Sequence, residues 1–91
     1  MPGPTCVKCQ VEFDRVKSGV NLVQMFNQPQ QPYKIWQADL WRCPGCGFEI
    51  VSGYGHHPYA EHYQDGFAEA MDWAKRSKII YQYERSWLLN R

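Results

Sequence analysis

The chain has 91 residues, of which 44% are hydrophobic and 15% aromatic, and its formal net charge is +1. This length suits one domain, close to the size at which a single hydrophobic core is only just sufficient. The near-neutral charge argues against a dedicated DNA- or RNA-binding protein, which usually carries a clear basic excess. No apolar stretch approaches the ~20 residues of a membrane span, and the start Met1-Pro2-Gly3-Pro4 does not resemble a secretory signal, so we expect a cytoplasmic protein.

The first half of the chain predicts a β-hairpin followed by a loop. Residues 11–15 and 20–26 are rich in residues that favour strands, and they flank a short segment at 16–19. Gly19 can supply the positive φ that a hairpin turn requires, so we expect the turn there. The polar segment at 27–32 contains two prolines and predicts a loop, because proline cannot donate to a strand ladder.

Two further strands are predicted in the middle of the chain. Residues 33–42 alternate in a way that is typical of a strand. The alternation assigns one face to Trp36, Ala38 and Leu40 and the other to Ile35 and Trp41. Residues 48–52 predict another strand, which ends at a glycine-containing segment.

The second half of the chain predicts a helix and a final strand. Pro58 suits the first turn of a helix, and residues 59–76 have helical periodicity. One side of that helix would be apolar, with Tyr63, Phe67, Ala70, Met71 and Ala74, and the opposite side acidic, with Glu61, Asp65, Glu69 and Asp72. Residues 79–84 are rich in Ile and Tyr and favour a strand, although no Gly or Pro prevents the helix from continuing through them.

All four cysteines of the chain lie in two Cys-x-x-Cys pairs, Cys6 with Cys9 and Cys43 with Cys46. Two such pairs account for one tetrahedral metal site with four thiolate ligands. Disulfides are the alternative. Disulfides within a pair would close loops too small to stabilise the fold much. Crossed disulfides between the two pairs are the alternative that an oxidising compartment would allow. A metal site with four cysteines has no open coordination position, so we expect no enzyme activity there.

The arrangement resembles the zinc-ribbon and rubredoxin-like group over roughly residues 5–53. The resemblance is carried by the four cysteines and by the second pair's form Cys-Pro-x-Cys-Gly, in which Pro44 and Gly47 shape the turn. It implies one structural Zn²⁺ held by Cys6, Cys9, Cys43 and Cys46. Rubredoxins hold iron in the same cage and carry electrons, so iron could take the place of zinc. Their first pair continues into Gly and an aromatic residue, whereas here Gln10 and Val11 follow Cys9.

These features together predict a small α+β fold. Its centre would be a zinc β-ribbon of antiparallel strands, followed by a C-terminal helix and a final strand. We expect a single domain spanning 1–91, in which 5–55 form the zinc-ribbon core and 56–91 form a helical extension packed on it.

The histidines form a second candidate site. His56, His57 and His62, together with Glu61, could bind a second, catalytic metal or provide a general base. However, two of them are adjacent in a predicted loop, and no His-x-x-x-His spacing on a helix would bring them together. We therefore favour capping and surface roles for these residues.

Cations and aromatic residues on the third predicted strand are candidate contacts for a partner. Lys34, Trp36, Trp41 and Arg42 could hold single-stranded nucleic acid, because base stacking beside cations is a common binding mode. The alternative, which we favour, is that the tryptophans lie in the core and the cations are solvated. The apolar tail at 87–89 either packs back onto the domain or contacts a partner or a second copy.

The sequence therefore favours a non-enzymatic zinc-ribbon protein that works as an interaction module or adaptor. A protein partner is expected rather than nucleic acid. A nucleic-acid-binding zinc ribbon and a rubredoxin-like iron electron carrier are the alternatives.

Overall fold

The computed structural model of the chain describes residues 2–26 and 30–85. Within these ranges the fold is a small α+β fold, as predicted, built from seven strands and one short helix. The one helix found in these ranges is far too short to span a bilayer. In chain order the elements are β1 (Thr5–Cys6), β2 (Val11–Glu12), β3 (Asp14–Phe26), β4 (Gln31–Arg42), β5 (Glu49–Ser52), β6 (Ala60–Glu61), α1 (Phe67–Ala74) and β7 (Ile79–Gln82).

The long antiparallel pair of β3 and β4 forms the centre of the main sheet. β5 and β6 both pair antiparallel with β4, at different places along it, and β7 pairs parallel with β3. β1 and β2 form a separate two-stranded sheet at the end of the molecule where the cysteines lie. The main sheet is therefore mixed, and its two end strands in the path β5-β4-β3-β7 are short.

The predicted hairpin turn at 16–19 is wrong. β3 continues through this segment from Asp14 to Phe26, and its pairing with β4 shifts register between Arg15 and Lys17 and again between Lys17 and Val20. Gly19 has a φ of +75°, and this positive φ occurs where the strand pairing is irregular rather than in a turn. A glycine with positive φ serves a bulge as well as it serves a turn. The two long strands are instead joined through residues 27–30, of which 27–29 lie outside the described residues.

The predicted strand at 33–42 is confirmed, but it begins earlier than expected. β4 starts at Gln31 and includes Pro32, which was assigned to the preceding loop. Pro32 lies opposite Met25, where the pairing with β3 is irregular, and proline is tolerated at such positions. The predicted strand at 48–52 is also present, as β5.

The predicted helix at 59–76 is much too long. Its first residues form β6, and the Tyr59 and His62 N–H groups donate to the carbonyl oxygens of Ile35 and Tyr33 on β4 at 2.7 and 2.8 Å. Residues 60 and 61 therefore pair with the edge of β4, although their pattern is compatible with a helix. The helix α1 begins only at Phe67. Of the predicted apolar side, Phe67, Ala70, Met71 and Ala74 do face the sheet, whereas the Tyr63 side chain is 68% exposed.

The final strand is confirmed over its first four residues, as β7. It aligns with β3 so that Asn21 lies opposite Ile79 and Gln24 opposite Gln82. The apolar tail at 87–89 lies outside the described residues. The assignment of 1–91 to one domain with a helical extension stays a prediction.

Two separate apolar clusters stabilise the two ends of the molecule. The first lies between α1 and the sheet and consists of Val23, Ile35, Ala60, Met71 and Ala74. The second surrounds the cysteines and consists of Cys6, Phe13 and Cys43, with Trp41 and Ile50 packed against them. Because the second cluster buries so few apolar side chains, the end of the molecule that carries the cysteines needs another source of stability.

Candidate metal centre

The two cysteine pairs lie in the connections of two antiparallel strand pairs. Cys6 ends β1 and Cys9 lies in the turn that leads to β2, while Cys43 directly follows β4 and Cys46 lies in the turn that leads to β5. The strand pairings thus supply the two ligand-bearing turns, and Phe13 packs with Cys6 and Cys43 where the turns approach each other.

The two turns have the same local geometry. In the first, the Gln10 N–H donates to the Cys6 carbonyl at 2.6 Å, and in the second the Gly47 N–H donates to the Cys43 carbonyl at 2.9 Å. The backbone of both donor residues has a positive, left-handed φ, which is +60° for Gln10 and +80° for Gly47. Gln10, which departs from the rubredoxin pattern, therefore adopts the conformation that a glycine would adopt there, at a cost of roughly 1–2 kcal/mol.

The four sulfur atoms form a compact cluster. All four Sγ atoms lie within 4.8 Å of one another, and the Sγ atoms of Cys6 and Cys46 are 3.9 Å apart. Ideal tetrahedral geometry with Zn–S bonds of about 2.3 Å separates the sulfurs by about 3.8 Å. All four cysteines are free thiols, so the crossed disulfides are not formed. The cluster could hold one metal ion, and the observed separations fit a four-thiolate site.

Backbone N–H groups favour ionisation at one cysteine. The Cys46 N–H, helped by the Gly45 N–H that lies 3.3 Å from the sulfur, holds the pKa of the Cys43 thiol at about 7 although burial opposes this. Cys9 behaves in the opposite way, because its hydrogen bond with Cys43 raises the pKa of its thiol to about 12. Four sulfurs this close cannot all become thiolates unless a cation offsets their mutual repulsion.

Gly45 allows the two turns to meet. A Cβ atom at this position would lie 3.0 Å from the Cys9 sulfur and 3.2 Å from the Cys9 Cβ. A side chain there would therefore displace the Cys9 sulfur from the cluster. The second pair needs glycine at this position for a tertiary reason, which the local turn alone does not indicate.

The histidines do not join a second cluster. His56 and His57 are exposed in the connection before β6, and His62 stacks on Tyr33 with ring centroids 4.7 Å apart. Glu61 accepts a hydrogen bond from Tyr63 at 2.8 Å and pairs with Lys34 at 3.3 Å, and both contacts lower its pKa. Among the described residues, the cysteines are the one group of ligand side chains placed to hold a metal.

We therefore expect that replacing both His57 and His62 with alanine leaves the metal content at the wild-type value. Neither side chain lies in the cysteine cluster, and both are exposed. Metal analysis of the purified double variant by mass spectrometry checks this. The loss of one metal ion per chain would contradict it and revive the histidine site.

The candidate contact residues on β4 do not form one cationic patch. Lys34 pairs with Glu61, and Arg42 pairs with Glu49 at 2.8 Å. The two cations lie eight positions apart on one strand, about 26 Å at the usual rise per residue. Each cation is therefore matched locally by an acid.

The two tryptophans on β4 are both hydrogen bonded and partly buried. The Trp36 Nε1–H donates to Gln24 Oε1 at 2.9 Å, and the Trp41 Nε1–H donates to the Ser52 carbonyl at 3.4 Å. Trp41 also packs against the apolar cluster around the cysteines. Trp41 therefore contributes to the stability of the end of the molecule that carries the cysteines, and only part of its ring is available to a partner.

The sequence-based predictions overlooked two side chains beside the cysteines. Val7, between the first two cysteines, is 91% exposed, and Phe48, two residues after Cys46, is 62% exposed. The sequence did contain a signal for their exposure, because an apolar residue in or beside a short cysteine turn has few neighbours that could bury it.

Comparison of the chain with protein-family models, with curated proteins and with solved structures finds no match.

Proposed function

We propose that this chain is a non-enzymatic interaction module, stabilised by one structural Zn²⁺, which binds another protein. The observation that carries the proposal is the cluster of four Sγ atoms within 4.8 Å of one another at one end of the sheet. The proposal includes a cytoplasmic location, because reducing conditions keep cysteines as the free thiols that a metal requires.

The donor set supports a structural role for the metal. Four protein thiolates complete a tetrahedral shell, so a bound Zn²⁺ would keep no position for water or substrate. Cys6 and Cys43 would be buried ligands, while Cys46 would be exposed. Thiolates also suit iron, and an electron carrier is the outcome that metal analysis must separate from this proposal.

Two features support a protein partner rather than nucleic acid. The candidate cations Lys34 and Arg42 are already paired with Glu61 and Glu49, which would have to be displaced before a phosphate could bind. The metal-binding end instead exposes apolar side chains, and exposed apolar groups are typical of surfaces that bind proteins.

Metal analysis and partner binding test the proposal together. Protein produced with zinc and iron both supplied should contain one zinc per chain by native mass spectrometry. Immobilised zinc-loaded protein should retain a defined protein partner, and the zinc-free form should not. Labelled single-stranded DNA and RNA should show no binding at low salt.

Three results would contradict the proposal. An iron-loaded protein with a reversible one-electron couple would favour the electron carrier. Binding of labelled single strands that weakens steeply with salt, with no protein retained, would favour the nucleic-acid-binding alternative. Turnover of a substrate by the zinc-loaded protein would overturn the non-enzymatic assignment.

A further inference from the structure

The main sheet has a second apolar face, on the side away from α1. Val23 and Ile35 lie opposite each other in the ladder and pack with the helix. Because side chains alternate along a strand, the residues between them point to the other side. We call that side the second face, and its apolar members are Val20, Leu22, Trp36, Ala38, Leu40 and Ile80.

The centre of the second face is buried. Val20 is 1% exposed, Ala38 3%, Leu22 4% and Leu40 5%. Neighbours within a sheet cover a side chain from its sides only, so its outer end stays accessible unless another layer packs over it. These low exposures therefore call for a layer across the second face.

Within the described ranges, no strand or helix lies over this face. The helix and the cluster around the cysteines lie on the other side, where Ile35 and Trp41 point. All seven strands belong to the two sheets. The connection between β5 and β6 follows the edge of β4, since the Gly55 and Tyr59 N–H groups donate to the carbonyl oxygens of Gln37 and Ile35. The described residues therefore do not account for the burial at the centre of the face.

Two grooves open on the second face, one towards each end. One groove is lined by Leu22 and Trp36 among other residues, and the other by Leu40 among others. Val20 and Ala38, which lie between them, line neither groove. The missing layer therefore crosses the middle of the face, over Val20 and Ala38.

Residues 86–91 are the part of the remaining chain that suits this layer. They include a tryptophan and two leucines in succession at 87–89. Residues 27–29 are Asn, Gln and Pro, which are poorly suited to cover apolar side chains. Met1 lies four residues before β1, at the end of the molecule that carries the cysteines. Composition and position therefore favour the segment 86–91.

The segment also starts close enough to reach the centre of the face. Arg85, the described residue that precedes it, lines a groove together with Gln24 near the end of β3. Gln24 and Val20 are four residues apart on one strand, about 13 Å at the usual rise per residue. Residues 86–89 span about the same distance when extended. A segment that turns back after Arg85 can therefore bring its leucines over Val20.

We infer that residues 86–91 fold back across the second face and pack apolar side chains from 87–89 on Val20 and Ala38. The inference is independent of the proposed function, because it depends neither on the metal nor on a partner. It assigns the second face to the chain's own segment, whereas the exposed Val7 and Phe48 stay accessible to a partner.

Methyl NMR on the full chain tests the contact directly. The protein is labelled at the methyl groups of Ala, Leu and Val, and nuclear Overhauser effects between methyl groups are recorded. We expect effects between Leu88 or Leu89 and Val20 or Ala38. Val16 is the matched control, because it lies on β3 but is 44% exposed, and it should show none to either leucine.

A mixture of labelled and unlabelled chains separates contacts within one chain from contacts between two chains. In an isotope-filtered experiment on this mixture, the effects between the leucines and the second face should be absent. Sedimentation velocity of the same sample should show a monomer.

Replacement of the apolar side chains gives the second arm. Changing Trp87, Leu88 and Leu89 together to alanine should raise the equilibrium constant for unfolding at least about a hundredfold, because the second face loses its cover. The matched control, Asn90→Ala with Arg91→Ala, should change that constant about twofold at most. Urea unfolding measures both. Metal content should equal that of the wild type, since the cysteines lie on the other side of the sheet.

Three results would overturn the inference. The first is the absence of any methyl contact between Leu88 or Leu89 and the second face, a measurement that needs no variant to fold. The second is a triple variant as stable as the wild type. The third is a set of contacts found only between chains, together with a dimer in sedimentation velocity, which would assign the second face to the segment of a second copy.

Discussion

Replacing Cys43 with serine is expected to unfold the metal-binding end of the protein and to abolish stoichiometric zinc binding. Cys43 is 1% exposed and connects the second turn to the small apolar cluster. Structural zinc sites contribute about 10–16 kcal/mol of apparent binding energy, much of which appears as folding energy. A domain of this size has a total stability of about 5–15 kcal/mol, so loss of the metal removes an amount comparable to the whole.

Circular dichroism melting and native mass spectrometry check this prediction on the same samples. The variant should show no cooperative transition of the ribbon and less than one zinc per chain. Chelation of the wild type should reproduce the effect, and added zinc should reverse it in the wild type only. The variant with both His57 and His62 replaced is the matched control, since it loses two potential ligands outside the cluster. Unchanged melting after complete metal removal would contradict the structural role.

Replacing Val23 with alanine is expected to lower the free energy of unfolding by about 2–3 kcal/mol. Val23 is fully buried between the sheet and α1, where it packs with Ile35 and Met71. The change removes two methyl groups and leaves a cavity that the short helix cannot fill without moving. The effect is smaller than that of metal loss, but it is a large share of a marginal stability.

Val16 offers a matched control for this substitution on the same strand. It is 44% exposed, so Val16→Ala should change the free energy of unfolding by less than about 0.5 kcal/mol. Urea unfolding of both zinc-loaded variants measures the difference directly. Equal destabilisation by the two substitutions would show that the cluster between α1 and the sheet does not determine stability.

The cysteine cluster was the most predictable part of the molecule. Two Cys-x-x-Cys pairs place their sulfurs through short local turns, and the structure brings Cys6, Cys9, Cys43 and Cys46 within 4.8 Å of one another. β4 was also predictable, because a long alternation of apolar and polar residues indicates a strand whichever neighbour that strand pairs with. Local patterns of this kind need no knowledge of the rest of the chain.

The predictions failed where the same local sequence pattern is compatible with two different secondary structures. Gly19 has the positive φ that a turn would need, but β4 extends far enough to pair on both sides of it, so the chain forms bulges. Residues 60 and 61 have a pattern compatible with helix, but the edge of β4 beside Lys34 and Ile35 offers them strand pairing. Propensity is a weak preference that such long-range contacts override.

The amino-acid sequence by itself determined the α+β class, the strand β4 and the set of four clustered cysteines, because these depend on spacing and periodicity along the chain. Only the tertiary structure decided that Lys34 and Arg42 are neutralised by Glu61 and Glu49, and that Val7 and Phe48 face a common groove. These features depend on which strands are neighbours. Pairing between strands is a long-range choice, made by burial and by the available sheet edges, and no local pattern records it.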